Sequence, residues 1–269
     1  MRGLLIYDAD GYGRNEWFVD QLIKSADALG CELKLVIYDG AVDFDTSVDF
    51  AIVRTICPDI NEYFETHAVP TFNNARTSRI ANDKWQTYLF AKELGLCVMR
   101  TSRVTEYSEL ADSLGSPFVL KAVDGHGGSE VFLVDNEQKC KDILSNIDIS
   151  RLIAQSLCSE VGVDMRVYML GGEPLAASCR TSSTDFRSNF SLGGAAEIVT
   201  VPCEVAAMAK RVCQSLECDF VGIDFIRHNG EWILNEIEDV VGTRMLYSLT
   251  HIDAANEYVK YIVGKVSGG

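Results

Sequence analysis

Residues 220–238 read FVGIDFIRHNGEWILNEIE, from Phe220 to Glu238. Two apolar runs, Phe220–Arg227 and Glu231–Ile237, flank His228-Asn229-Gly230, which predicts a β-hairpin. Three carboxylates, Asp224, Glu236 and Glu238, stand on its two strands. Register decides whether they meet. A two-residue turn at Asn229-Gly230 sets Asp224 opposite Asn235 and turns Glu236 to the other face. A three-residue loop pairs Arg227 with Glu231, sets Asp224 opposite Leu234 and gathers the three acids on one face. Oxygen ligands gathered in this way suit Mg²⁺, which prefers carboxylates together with substrate phosphates. The alternative is three solvated acids on a strand face.

Working outward, Val163–Leu170 and Pro174–Cys179 flank Gly171-Gly172 and predict a second hairpin. Between the hairpins, Val205–Leu216 has helical periodicity, with Ala209, Val212 and Leu216 in phase. A last helix is expected over Asp253–Val263. Upstream, Pro117–Lys121 and Val131–Val134 read as strands around a glycine-rich loop, followed by a helix at Gln138–Leu144 and a short strand at Leu152–Ala154. Asn82 is the expected cap of a helix carrying Trp85, Leu89 and Leu94 and ended by Gly95. The N-terminal part alternates strand Gly3–Tyr7, helix Asn15–Leu29, strands Leu33–Tyr38 and Phe50–Arg54, and helix Asp59–His67. Such alternation implies a small parallel sheet. The expected class is α/β followed by α+β, with no repeats and no low-complexity linker.

The chain has 269 residues, 47% of them hydrophobic, and a formal net charge of −15. That size supports one large core or two modest ones. The acidic balance argues against nucleic acid and anionic membranes as partners. No apolar stretch reaches about 18 residues, so no membrane-spanning helix is expected. The start, MRGLLIYDADGYG, reads as a strand rather than a signal peptide. The nine cysteines include no CxxC pair and the four histidines lie far apart, which argues against a zinc site. Scattered through apolar runs, most of the cysteines read as small buried hydrophobes of a reduced, cytoplasmic protein.

Further features could carry chemistry. Lys121 ends an apolar strand and precedes Asp124-Gly125-His126-Gly127-Gly128-Ser129, whose glycines would let backbone N–H groups approach phosphate oxygens. No GxxxxGK[ST] occurs. Arg166, Arg180 and Arg187 form a set suited to phosphates and carboxylates, though scattered surface ion pairs are the ordinary fate of arginine. Asp8-Ala9-Asp10-Gly11-Tyr12-Gly13 follows the first strand, but Glu16 stands at the third glycine of a dinucleotide fingerprint.

In this order the features resemble the ATP-grasp superfamily, and within it the RimK-type carboxylate–amine ligases. The resemblance covers nearly the whole chain. It is carried by Asp185-Phe186-Arg187-Ser188-Asn189 with Gly193-Gly194-Ala195-Ala196, by Asn82-Asp83-Lys84, by the Lys121 strand and its loop, by Asp164-Met165-Arg166-Val167, and by the spacing from Asp224 to Glu236.

The resemblance implies an ATP-grasp fold of three units, 1–78, 79–152 and 153–269, with ATP between the last two. Lys84 and Lys121 would contact phosphates, Lys121 also lying near the adenine. Gly125, Gly127, Gly128 and Ser129 would close over the phosphates. Gln155, Ser156 and Leu157, with Cys158, would form the hinge beside the base, and Asp164 would face the ribose. Arg187, with Arg166, would serve the transferred phosphoryl group. Asp224, Glu236 and Glu238 would hold Mg²⁺, or Mn²⁺ in its place. Arg54, Arg180, Asn189 and Arg244 are the candidate substrate holders.

The chain departs from the family twice. Glu238 stands where an amide is usual in E-x-N, and Ser156-Leu157 where the hinge usually has Glu-Tyr. The implied reaction is ATP-dependent joining of a carboxylate, on a small molecule or peptide, to an amine or amino acid. The runner-up is a non-catalytic or regulatory ATP-binding protein. The sequence leaves the substrates and any homo-oligomer open.

Overall fold

The computed structural model describes residues 1–128, 130–182, 185–187 and 195–268. Of the expected site residues, Ser129 and Asn189 lie outside the described residues.

The chain begins with β1 (Arg2–Asp8), α1 (Ala9–Ala28), β2 (Glu32–Tyr38), β3 (Phe50–Val53), α2 (Pro58–Thr66) and β4 (Thr71–Phe72). The four strands form a parallel sheet ordered β2-β1-β3-β4. Helix α1 starts earlier than its periodicity predicts. Asp8, the last residue of β1, caps it by accepting from the Gly11 N–H at 2.7 Å. Asn15, the expected cap, is instead a kink at φ −131°, ψ 18°, with its side-chain amide donating to the Gly11 carbonyl. The Asp8–Gly13 stretch is therefore the first turn of a helix whose N-terminus is already filled by a carboxylate.

Next come α3 (Ala75–Ala81), α4 (Lys84–Glu93), β5 (Thr101–Arg103), α5 (Tyr107–Leu114), β6 (Phe118–Ala122), β7 (Val131–Val134), α6 (Glu137–Leu144) and β8 (Leu152–Ser156). The strands form a sheet ordered β5-β8-β6-β7. Asp83, not Asn82, caps α4, accepting from the Trp85 and Gln86 N–H groups. The buried face of α4 is Thr87, Phe90 and Ala91, and Leu89 is 42% exposed. β8 belongs wholly to this sheet, so the sheet runs past the expected division at 152/153.

The remainder comprises β9 (Glu160–Leu170), β10 (Glu173–Thr181), β11 (Ala195–Ile198), α7 (Cys203–Leu216), β12 (Phe220–His228), β13 (Glu231–Glu238), α8 (Arg244–Leu249) and α9 (Ala254–Gly268). Its five strands are ordered β11-β10-β9-β12-β13 and pair antiparallel. Helix α7 buries Val205, Ala209, Val212 and Leu216 in a core shared with β9, β12, β13 and Phe90 of α4. Helix α9 buries Ala255, Tyr258, Val259 and Ile262 in the core that contains Phe18 and Leu22 of α1, joining the two ends of the chain.

The β12–β13 register follows neither expectation. The turn has two residues, with Asn229 at φ 53° and Gly230 at φ 78°, as a type I′ turn requires. It pairs His228 with Glu231 and Phe225 with Leu234, and then a β-bulge pairs Asp224 with Glu236. Asn235 is the extra residue. Gly222 pairs with Glu238, so the three acids share a face through the bulge rather than through a longer loop.

No helix among the described residues is long and apolar enough to cross a membrane. All nine cysteines are free thiols. Cys31, Cys140, Cys213 and Cys218 are buried, whereas Cys97 and Cys203 are exposed, so fewer are core residues than their apolar surroundings suggest.

Candidate active site: two adjoining clefts

A cleft of about 770 Å³ opens between the sheet holding β6 and the sheet holding β9, β12 and β13. Val119, Val131, Leu157, Val163 and Ile226 give it apolar walls. Its charged end collects Lys84, Lys121, Arg187, Asp224 and Glu236. Alternation within β6 turns Val119 and Lys121 to this face.

Lys121 is buried, and its ammonium donates to Oδ1 of Asn235 at 3.0 Å. Burial pushes its pKa down, the Glu236 carboxylate opposes that shift, and Lys84 reinforces it. Lys84, at the start of α4, donates to the Gly125 carbonyl and lies 4.0 Å from Glu236. Gly125 and Gly128 line the cleft, and Gly127 and Gly128 adopt positive φ in the intervening turn. Gln155, Ser156, Leu157 and Cys158, at the end of the neighbouring strand β8 and just beyond it, line the cleft as well. The Gln155 amide is tied to the Thr101 hydroxyl at 3.0 Å.

Gly162 fixes how Phe186 and Arg187 approach. It sits at φ +73°, and a Cβ there would fall 2.4 Å from the Ser182 carbonyl. Its N–H donates to the Phe186 carbonyl, and its own carbonyl accepts from the Ser182 N–H. Arg187 pairs with Asp185 at 2.7 Å and donates to the Gly128 carbonyl at 2.7 Å, closing one end of the cleft.

Beneath the cleft five charges alternate across four strands, β9, β10, β12 and β13: Asp164, Arg180, Asp224, Arg166 and Glu238. Arg166 holds Asp224 bidentately, with Nε and Nη2 each 2.7 Å from a carboxylate oxygen, and its Nη2 also reaches Glu238. Arg180 bridges Asp164 and Asp224. Burial by itself would raise the Asp224 carboxyl, but the two guanidiniums hold it well below the usual carboxylate range. Arg180 thus lies inside this network rather than in a substrate pocket.

The acids are therefore paired with arginines, and among the described residues no group of three or more His, Cys, Asp or Glu side chains is placed to hold a metal. Asp224, Asn235 and Glu236 nevertheless line one wall of the cleft, and a set of hard oxygen donors fits Mg²⁺. Glu238 lies further along the same face and lines the second cleft.

That second cleft, of about 880 Å³, shares Lys84 and Glu236 with the first. Asp8, Arg14, Asn15, Arg54, Thr55 and Ile56 wall it from the N-terminal sheet, and Glu238, Asp239 and Val240 from the end of β13. Arg54 is buried, donates through Nη2 to the Val241 carbonyl at 2.8 Å, and has no partner for Nε. Arg244 lines neither cleft and donates instead to the Arg14 carbonyl.

Sequence reading missed Asn235, Gly162 and the second cleft's Arg14, and named Phe186 only within the Asp185–Asn189 stretch. Only Asn235 carried a signal. Asn235-Glu236 breaks the apolar–polar alternation, which is what a bulge does.

The RimK-like ATP-grasp domain matches residues 81–262. A probable alpha-L-glutamate ligase of Mannheimia succiniciproducens is 26% identical over 207 residues, covering 74% of this chain and 69% of that protein. A RimK-domain ATP-grasp protein of Sphaerobacter thermophilus superposes with a TM-score of 0.76 at 18% identity, covering 98% of this chain and all of that one. D-alanine–D-alanine ligase of Bacillus anthracis, in complex with ATP, superposes with a TM-score of 0.78 at 15% identity, covering all of this chain and 98% of that one. With the domain match spanning most of its length and the same fold in both solved structures, the chain belongs to the RimK-like ATP-grasp family.

Proposed function

We propose that the protein is an ATP- and Mg²⁺-dependent carboxylate–amine ligase that forms an amide or peptide bond through an acyl-phosphate. One observation carries the reading: a cleft with apolar walls and a cationic end adjoins a second cleft, and Lys84 and Glu236 belong to both. Adenine suits the apolar walls near Leu157 and the polyphosphate suits the end at Lys84, Lys121 and Arg187. The first cleft would therefore deliver a γ-phosphate to the mouth of the second.

A carboxylate oxygen of the acceptor attacks the γ-phosphorus, and the bond to the bridging oxygen of ADP breaks. Lys84, Lys121 and Arg187 offset the charge gathered on the phosphoryl oxygens. Arg187 reaches it by exchanging the Gly128 carbonyl and Asp185 for phosphate. An amine then attacks the acyl carbon, inorganic phosphate leaves with its electron pair, and the nitrogen sheds a proton. Asp224 and Glu236, with Asn235, would hold the Mg²⁺, which when bound shields the phosphates from the attacking carboxylate. Glutamate, named for the Mannheimia relative, is the first amine to try. Alternating ATP with a panel of acids and amines and following the nucleotide tests the reading. The expected products are ADP and phosphate, dependent on both substrates. AMP with pyrophosphate would overturn the mechanism, and ATP binding without phosphate release would favour a regulatory nucleotide-binding protein.

A further inference from the structure

The glycine-rich turn between β6 and β7 is tied down from two sides. On the side of the nucleotide cleft, Lys84 donates to the Gly125 carbonyl, and Arg187 donates to the Gly128 carbonyl at 2.7 Å. Phosphate would draw both cations to itself, and each would give up its carbonyl in turning to it. On the outer side stands Arg151, immediately before β8, which lines neither cleft. Its Nη2 and Nε donate to Asp124 at 2.7 and 3.2 Å, and its Nη2 also reaches Glu130 at 3.4 Å. The Arg151 carbonyl accepts from the Val123 N–H at 2.8 Å.

One guanidinium thus grips both ends of the turn. A Cβ on Gly125 would fall 3.2 Å from the Cβ of Glu130, so the two ends lie against each other. Between them, Gly125, Gly127 and Gly128 offer backbone N–H groups but little stiffness of their own. Ordering a flexible loop around a ligand weakens binding, and less so when the ends of the loop are already fixed. The Arg151 tie is one for which phosphate does not compete, because its partners are carboxylates on the outer side of the turn.

We propose that Arg151 is a positioning residue for nucleotide binding: by holding Asp124 and Glu130 from outside the cleft, it keeps the glycines of the turn in place for the triphosphate once Lys84 and Arg187 have left their carbonyls. Arg151 does not touch the nucleotide. The inference rests on the nucleotide reading of the first cleft.

The test is a double-mutant cycle on MgATP affinity, measured by calorimetry with no acid or amine substrate present. The proteins are the unaltered chain, Arg151→Met, Asp124→Asn, the double variant and Arg151→Lys. Partly exposed ion pairs contribute modestly, so Arg151→Met is expected to weaken MgATP binding about fivefold and to leave the thermal midpoint of the nucleotide-free protein nearly unchanged. Asp124→Asn supplies the deciding sign. Charge alone predicts tighter binding when an anion beside the phosphates is removed. Loss of the grip predicts weaker binding, expected at about two- to threefold. In the Arg151→Met background the same change is expected to cause no further loss. Arg151→Lys should recover part of the affinity, since an ammonium reaches one acid but cannot reproduce the fork. Unchanged binding in Arg151→Met, tighter binding in Asp124→Asn, or a loss that persists undiminished in the double variant would each overturn the proposal while leaving the nucleotide reading in place. Failure of the unaltered chain to bind MgATP would overturn the nucleotide reading, and this inference with it.

Discussion

The two clefts share a wall but are built differently. In the first, every charged group has a partner within the protein: Lys121 has Asn235, Lys84 the Gly125 carbonyl, Arg187 Asp185, and Asp224 two arginines. In the second, Arg14 is exposed and makes no ion pair among the described residues, and Arg54 keeps an unpartnered Nε. A cleft of paired charges must exchange partners when phosphate enters, and its residues are coupled. A cleft edged by an unpaired cation can be altered one residue at a time. Substitutions in the first should therefore disturb stability and binding together, and those in the second should change one substrate's KM.

The largest effect is expected from Asp224→Asn. It leaves the Arg166 and Arg180 guanidiniums without their shared anion, and breaking a buried pair costs about 3–5 kcal/mol. A fall in thermal midpoint and in denaturant midpoint checks this. The pH dependence has a definite sign. The folded pKa of Asp224 is depressed, so its stabilisation is fully present above the unfolded value near 3.9 and is lost as pH falls below it. The unaltered protein should lose stability on that acid limb, and Asp224→Asn should lose less. An equally steep limb in both would place the titrating group elsewhere.

Next is Lys121→Met. Nucleotide affinity in Mg²⁺ should fall by about ten- to a hundredfold, as a hydrogen bond to a charged group contributes about 1.5–3 kcal/mol. Stability should fall with it, because the Asn235 amide oxygen and the Glu236 carboxylate lose their buried cation. Unchanged nucleotide affinity would remove Lys121 from the site and with it the distinction between the clefts.

Arg14→Met tests the other cleft. A hydrogen bond to a charged group contributes about 1.5–3 kcal/mol, so KM for one of the two non-nucleotide substrates should rise about tenfold or more. KM for ATP should stay where it was. A parallel rise in the ATP KM would mean that the second cleft is coupled as tightly as the first.

How far each cleft can be read from sequence follows the same division. Lys121, its glycine loop and the β12–β13 hairpin are local patterns, and the structure forms all of them. The pairing of Arg166 with Glu238 is not local. The residues are 72 positions apart and meet only because β9, β12 and β13 lie side by side in one register. The second cleft is assembled from Asp8, Arg54 and Glu238, which no single window contains. Short elements such as β4 (two residues) and α8 (six residues) owe their shape to tertiary contacts and carry too little periodicity to be seen. Asp8 went unread as a cap because its neighbours Ala9 to Gly13 read as a loop.

The smallest effect sharpens the comparison from inside the first cleft. Asn235 is the bulge residue, and its Oδ1 is the partner of the Lys121 ammonium. Asn235→Ala keeps the chain length that makes the bulge, so Asp224 stays opposite Glu236. What it removes is one acceptor for a buried cation, a change worth about 1–3 kcal/mol when the donor is left unsatisfied. Lys121 has the Glu236 carboxylate nearby, which supplies compensating charge. The outcome should fall at the low end of that range, as a few-fold loss of nucleotide affinity and a slight fall in thermal midpoint. Asn235→Asp should do the opposite for Lys121, holding it charged, while adding an anion where phosphate must lie, so nucleotide affinity should fall again as stability rises. Were Asn235→Ala to cost as much as Lys121→Met, Asn235 would itself contact the nucleotide or its cation, and the paired-charge description of the first cleft would need a ligand-binding amide at its centre.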